Sequence, residues 1–231
     1  MKFTDNKQLK EYLFSLCRTS LKEFNAKIIA AKKPMIGVSI PDLKALAKSA
    51  AKENPQAFFS VLTDDTFEEI MLFGLAIGYA DIDYGDKLCL IREYLAKADN
   101  WAHIDCALSS YKFIKKHKDA FLREIAGFLT SQDCFTVRFG VVGLLDYYID
   151  EEHLDYIFEV SDKLDCSEYY VSTAVAWLLA TCLAKFADRT LAYLKRTETD
   201  DKTYNRTVRK AAESYRVDAF VKELLKKTVR K

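Results

Sequence analysis

Apolar residues recur along most of this chain with the period of an α-helix. In FLREIAGFL, residues 121–129, they fall at i, i+1, i+4, i+7 and i+8, and VSTAVAWLL, residues 171–179, has a similar pattern. Such spacing gives each helix one continuous apolar face. No comparable run alternates apolar and polar residues between turn residues. The pattern therefore predicts an all-α protein.

Capping residues and chain breaks predict where the helices begin. From Asp65 onward the predicted starts lie about 15 to 20 residues apart, so two successive helices form a unit of roughly 35 residues. Units of this length, repeated without long linkers, are typical of an α-solenoid of HEAT-like helical-pair repeats. We expect a single curved domain with a concave face over residues 1–231, and an irregular helical bundle is the structural alternative. The predicted starts lie near Asn6, Ser39, Asn54, Asp65, Asp83, Asp99, Lys118, Asp133, Asp150, Ser167, Asp188, Asp201 and Val217.

The composition favours a helical protein with a packed core. Only 3 prolines occur, and none follows Pro55. A hydrophobic fraction of 50% with 30% charged residues is ordinary for a globular protein and argues against a disordered chain. No stretch approaches the roughly 18 apolar residues of a membrane span, and the first residues lack the apolar core of a signal peptide. We therefore expect a soluble, cytoplasmic protein that has no membrane partner.

Charge is distributed unevenly along the chain although the total is only +1. The net charge is +6 over residues 1–60, −11 over residues 61–165 and +6 over residues 166–231. A basic surface is the usual footprint of nucleic-acid binding, so the two ends permit such a partner while the acidic middle weakens that case. Solvated helix faces are the alternative explanation.

Standard catalytic and metal-binding motifs are missing from the sequence. The 6 cysteines show no C-x-x-C spacing, and the 3 histidines lie apart from one another. Mostly apolar neighbours favour small buried hydrophobic cysteines over metal ligands or disulfides. No glycine-rich phosphate loop, G-x-S-x-G or H-E-x-x-H occurs. We therefore expect no metal and no cofactor.

Four residues are unusual for a helical core. Trp101 and Asp105 lie at i and i+4 on a helix predicted over residues 99–116, so an indole and a carboxylate share one face. Arg138 lies in the apolar run CFTVRFGVVGLL, and Trp177 lies in the apolar run YYVSTAVAWLLATC. Each has a structural explanation. A tryptophan can fill a core, Asp105 can be a surface residue or a satisfied polar group, and Arg138 can snorkel or pair with an acidic residue of a neighbouring repeat.

Taken together, four segments resemble the AlkD family of HEAT-like DNA glycosylases, over nearly the whole chain. GVSIPDLKALAK (37–48) is similar to the family segment G-[IV]-x-x-P-x-[LR]-[RK]-x-L-x-K, and NWAHID (100–105) is similar to its W-x-x-x-D motif. CFTVRFGVV (134–142) resembles the segment with the family's arginine, and YYVSTAVAWLLA (169–180) resembles the helix with its second tryptophan. Their order and approximate spacing fit the family.

The resemblance implies hydrolysis of the N-glycosidic bond to cationic N3- and N7-alkylpurines in double-stranded DNA. It implies that Asp105 stabilises the sugar cation and positions water, while Trp101 and Trp177 contact the deoxyribose. It implies that Arg138 holds a backbone phosphate near the lesion. The family is also implied to act without a base-flipping pocket, and we expect a monomer with DNA as its partner.

One segment departs from the family pattern. The family carries an aromatic, basic helix just before the first matching segment, but here the stretch reads FNAKIIAAKKPMIGV, residues 24–38. Pro34 disrupts a helix that would run into Gly37. DNA binding would then rest on Lys27, Lys32 and Lys33, with Lys44 as a further candidate.

Two alternative functions therefore remain open. The first is a divergent paralog with the same fold, weak and salt-dependent DNA binding and little or no base excision, because residues 24–38 are altered. The second is a HEAT-type scaffold that binds protein partners. An acidic or apolar binding face would favour the scaffold, whereas a positive stripe around Trp101 and Arg138 would favour DNA.

Overall fold

The chain folds entirely into helices. The computed structural model describes residues 2–230, and within that range no strand occurs, so the all-α prediction is confirmed. None of the helices in the described range is long and apolar enough to cross a membrane. The chain divides into two compact units, Met1–Lys116 and His117–Lys231. The single domain expected over residues 1–231 stays a prediction.

The first unit is organised around α5, a helix that is buried along nearly its whole length. Every residue of α5 from Phe67 to Ile77 is buried, and the helix packs against α3, α6 and α7. A helix that is buried on all sides belongs to the centre of a core. The elements of this unit are α1 (Asn6–Ser15), α2 (Thr19–Ile28), α3 (Ile40–Glu53), α4 (Pro55–Val61), α5 (Phe67–Tyr79), α6 (Tyr84–Leu95), α7 (Trp101–Leu108) and a 3-10 helix (Lys112–Lys116).

The second unit repeats the arrangement, with helices packed in series. Helix α11 packs between α9 and α13, while α8, α12 and α14 each pack against one of these three. The helices are α8 (Lys118–Leu129), α9 (Cys134–Tyr147), α10 (Leu154–Lys163), α11 (Tyr169–Lys185), α12 (Ala187–Leu194), α13 (Asp201–Glu213) and α14 (Ala219–Lys226). From α5 onward every second helix starts about 35 residues after the previous one, as helical-pair repeats require.

Most predicted helix starts are confirmed by their caps. The side chains of Ser39, Asn54 and Asp133 each accept a backbone N–H from the first turn of the following helix. Helix α2 was not predicted. It has no side-chain cap and buries none of its residues, so neither of the usual sequence signals marks it.

The helix predicted over residues 99–116 is shorter than expected. Helix α7 ends at Leu108, because the hydroxyls of Ser109 and Ser110 donate to the carbonyls of Cys106 and Ala107 at 2.6 and 2.7 Å. Such side-chain bonds compete with continuation of the helix. The prediction of buried cysteines is confirmed for Cys182 and wrong for Cys17 and Cys89, which are exposed. The remaining three are half-buried, and no disulfide joins any of the six within the described residues.

A buried carboxylate fixes the segment that leads into α3. Glu68 is 1% exposed and accepts the backbone N–H groups of Ile36, Gly37 and Val38 at 2.9, 2.7 and 3.3 Å. Gly37 has a φ of 105°, which favours glycine. Residues 29–39 are not helical, which agrees with the helix break predicted at Pro34.

In the second unit, Asp150 ties two helices together. Its carboxylate accepts from Lys118 Nζ at 2.9 Å and lies 2.6 Å from His153 Nδ1. Burial opposes ionisation, but the hydrogen bonds from Lys118 and His153 outweigh it and lower the pKa of Asp150 from 3.8 to about 2. A carboxyl group whose pKa falls on folding stabilises the folded state only while it is ionised.

We expect Glu68→Gln to lower the free energy of unfolding by about 2–3 kcal/mol, because an amide replaces an ion that accepts several buried N–H groups. Urea unfolding followed by circular dichroism measures the change. Glu11→Gln, at an exposed position of α1, should change it by less than about 0.5 kcal/mol. Equal effects of the two substitutions would contradict the role given to Glu68.

We expect Asp150→Asn to destabilise the protein at pH 7 but progressively less as the pH falls from about 4 to about 2. The stabilisation is fully present above the unfolded pKa and disappears as the folded-state carboxyl becomes protonated. Urea midpoints over this pH range measure the difference, with the exposed neighbour Glu152→Gln as control. A difference that does not depend on pH would show that the carboxylate charge is not responsible.

Candidate functional site

The start of α7 is held rigidly against α5. Asn100 caps the helix by accepting the backbone N–H of His103 at 3.1 Å. His103 is fully buried, with Nε2 3.0 Å from the carbonyl oxygen of Phe67 and its ring stacked on the Phe67 ring at 4.6 Å. The histidine of NWAHID therefore anchors the helix that carries its tryptophan and aspartate.

Asp99, just before the cap, ties α7 to the segment after α2. It accepts the backbone N–H of Lys32 at 3.0 Å. Burial opposes ionisation of Asp99, but hydrogen bonds from His103 and Asn100 outweigh it, so the pKa of Asp99 is lowered. An ionised Asp99 thus fixes the position of the 29–39 segment beside the start of α7.

Trp101 and Asp105 lie one turn apart on α7, and both are half-buried. The indole N–H of Trp101 donates a long hydrogen bond of 3.4 Å to the carbonyl of Ile28, the last residue of α2. The predicted spacing on one helical face is therefore confirmed. Their contact with a sugar stays a prediction.

Lys44 of α3 extends this face. Its Nζ donates to Ser109 Oγ at 3.0 Å, and Ser109 lies one turn beyond Asp105. Cys106 lies on α7 between Asp105 and Ser109. Burial raises the pKa of its thiol to about 11, an effect that the positive charge of Lys44 opposes and the negative charge of Asp105 reinforces. The thiol is therefore protonated near neutral pH and is not a nucleophile. The ammonium group of Lys44 and the carboxylate of Asp105 therefore lie along the same stretch of α7.

The three lysines predicted near the start of the chain differ in their surroundings. Lys27 and Lys32 are exposed, at the end of α2 and in the segment that follows it. Lys33 is half-buried and its Nζ lies 3.4 Å from Asp64 Oδ2. Part of the positive charge expected over residues 24–38 is thus offset by an acidic neighbour.

In the second unit Arg138 is buried, with 5% of its surface exposed. Its Nη1 donates to the carbonyl of Tyr170 at 2.9 Å and to Thr173 Oγ1 at 3.3 Å. These bonds join α9 to α11. Arg138 therefore does contact a neighbouring helical pair, but these acceptors are a carbonyl and a hydroxyl, whereas the structural alternative named an acidic residue. A phosphate contact by Arg138 stays a prediction.

Trp177 lies one turn beyond Thr173 on α11 and is 37% exposed, whereas most of α11 is buried. It lines a groove of about 480 Å³ with Lys210, Tyr215 and Arg216. Sequence reasoning missed these three residues. A tyrosine and two cations at the end of a helix are ordinary surface composition, so nothing in the sequence marked them.

The structure thus brings the predicted residues together in two groups. Trp101, Asp105 and Lys44 lie together in the first unit, while Arg138 and Trp177 lie on adjoining helices of the second. Among residues 2–230, no group of three or more His, Cys, Asp or Glu side chains is arranged to hold a metal ion.

Comparison with known proteins points to one family. A family model described as DNA alkylation repair enzyme matches residues 9–215. The same sequence gives no match among curated proteins. The matched range includes every predicted site residue of both groups.

We expect Arg138→Met to lower the free energy of unfolding by about 2 kcal/mol, because it removes a buried hydrogen-bond donor on α9 that binds acceptors on α11. Urea unfolding measures the loss. Arg123→Met, at an exposed position of α8, is the matched control and should be nearly neutral. If both substitutions were equally mild, Arg138 would not be the tie between the two helices.

Proposed function

Because the chain belongs to the DNA alkylation repair enzyme family, we propose that it hydrolyses the N-glycosidic bond of cationic N3- and N7-alkylpurines in duplex DNA. The observation that carries this proposal is the pairing of Trp101 and Asp105 on one half-buried face of α7. An indole and a carboxylate one turn apart suit a sugar that develops positive charge.

The chemistry requires little help with the leaving group. An alkylated purine already carries a positive charge, so when its bond to C1′ breaks it leaves as a neutral base with the bonding electron pair. The sugar moves toward an oxocarbenium ion, as in glycoside hydrolysis. Water then forms the new bond to C1′ and releases a proton. No general acid is needed.

Asp105 would stabilise the sugar cation and orient the attacking water. Its fixed negative charge lies beside the place where positive charge develops, which is the most effective form of electrostatic catalysis. The faces of Trp101 and Trp177 would contact the deoxyribose and add cation–π attraction of about 0.5 to 2 kcal/mol each. The cap at Asn100 and the buried His103 keep Asp105 on its face.

DNA would be held mainly by the basic residues around this face. Lys27 and Lys32 are exposed, Lys44 lies beside Asp105's helix and Lys33 shares its charge with Asp64. We assign Arg138 to positioning α11, with the predicted phosphate contact as its further role. So few cations imply weak, charge-dependent binding, and the slope of its decrease with salt should reflect the small number of phosphates that they neutralise.

The test is release of 7-methylguanine and 3-methyladenine from alkylated duplex DNA, measured by chromatography. We expect Asp105→Asn to reduce the rate about 100- to 1000-fold, the range found when one electrostatic group is removed from a transition state. Asp86→Asn, at an exposed position of α6, is the matched control and should leave release unchanged.

The outcomes separate the possible functions. Release that Asp105→Asn leaves unchanged would contradict the mechanism. No release at high protein concentration, with DNA binding retained, would favour the divergent paralog, whose affinity should rise when residues 24–38 are replaced by an aromatic, basic helix. Loss of both base release and DNA binding would favour the remaining alternative, a scaffold that binds protein partners.

A further inference from the structure

The groove beside Trp177 has features that packing of the second unit does not explain. Its floor is made by Ala180 and Ala184 of α11, and its volume of about 480 Å³ lies in the range of small-ligand sites. Trp177 is 37% exposed on one side, and Tyr215 is fully exposed on the other. Two aromatic rings therefore remain accessible at one small cleft.

Tyr215 is fully exposed, and what points to a ligand is its position beside Trp177 at the same groove. A tyrosine left in water contributes nothing to the core, while an aromatic ring with a polar tip is well suited to an interface. Val217, two residues later, is buried and holds the loop after α13 in place. The ring is thus presented on a fixed loop.

The charge around the groove favours an anionic ligand. Residues 206–216 contain four cations and a single carboxylate. Arg206 is turned towards Tyr169, with its guanidinium 4.9 Å from that ring, and donates to Ser172. The groove itself is lined by two cations, Lys210 and Arg216, and by one carboxylate, Glu213. Aromatic rings beside cations are the usual combination for binding an unpaired nucleotide.

We propose that this groove binds one unstacked nucleotide of a DNA strand. Trp177 and Tyr215 contact its base or sugar, and Lys210 and Arg216 contact its phosphate. The inference rests on the proposed function in taking DNA as the partner, and it extends the surface that Trp177 offers to the damaged strand. It assigns a role to Tyr215 and Arg216 that is separate from bond cleavage.

The experiment compares two short fluorescent duplexes of one sequence, fully paired or with one unpaired adenine, by anisotropy titration. We expect Tyr215→Ala to weaken binding of the duplex with the unpaired base about 5- to 100-fold, the range for stacking on one aromatic ring, and to leave the paired duplex nearly unchanged. Arg216→Gln should weaken both duplexes and reduce the salt slope by about one.

Two control variants are available on the same unit. Phe220→Ala removes an aromatic residue that is 70% exposed on α14, and Lys195→Gln removes an exposed cation after α12. Neither residue lines the groove. Tyr215→Ala that acts no more strongly than Phe220→Ala, or that weakens both duplexes equally, would overturn the nucleotide site.

Base release distinguishes this inference from the proposed function. If Asp105→Asn abolishes release while Tyr215→Ala leaves binding unchanged, the glycosylase proposal stands and the groove proposal fails. If no base is released but binding depends on Tyr215 as expected, the groove proposal stands and the glycosylase proposal fails.

Discussion

Two adjacent carboxylates at the start of α5 hold the surrounding segments of the first unit in place. Glu68 accepts three backbone N–H groups from residues 36–38, which sets the direction in which α3 begins. Glu69 accepts from Asn6, Thr63 and Thr66, which ties the first helix to α5. Because neighbouring helical positions point in different directions, one turn of α5 can organise two separate segments.

The position of the candidate site follows from this arrangement. Lys44 lies on α3, whose start is set by Glu68, and α7 is fixed to α5 through the contacts of His103 with Phe67. Trp101 and Asp105 on α7 and Lys44 on α3 are therefore positioned by one shared neighbour, because both helices pack against the buried α5. In the second unit, Arg138 performs a comparable task by joining α9 to the helix that carries Trp177.

Much of this architecture could be predicted because its helices carry both apolar faces and caps. The Trp101–Asp105 face could also be predicted, since it depends only on helical spacing. What could not be predicted depends on long-range contacts or on the lack of a core. Helix α2 buries nothing, the partners of Glu68 lie about 30 residues away along the chain, and burial of Arg138 depends on the packing of α11. No sequence pattern marked the loop with Tyr215. Its notable feature is the exposure of the ring, and the sequence does not show which side chains are exposed.

The distribution of the two tryptophans has a practical consequence. Trp101 belongs to the first unit and Trp177 to the second, and the chain contains no other tryptophan. Each indole lies at the surface of its unit, where its emission responds to solvent and to a bound ring or charge. Replacing either one by phenylalanine would leave a single tryptophan. With excitation beyond the tyrosine absorption band, a spectral change could then be assigned to one half of the molecule without an added label.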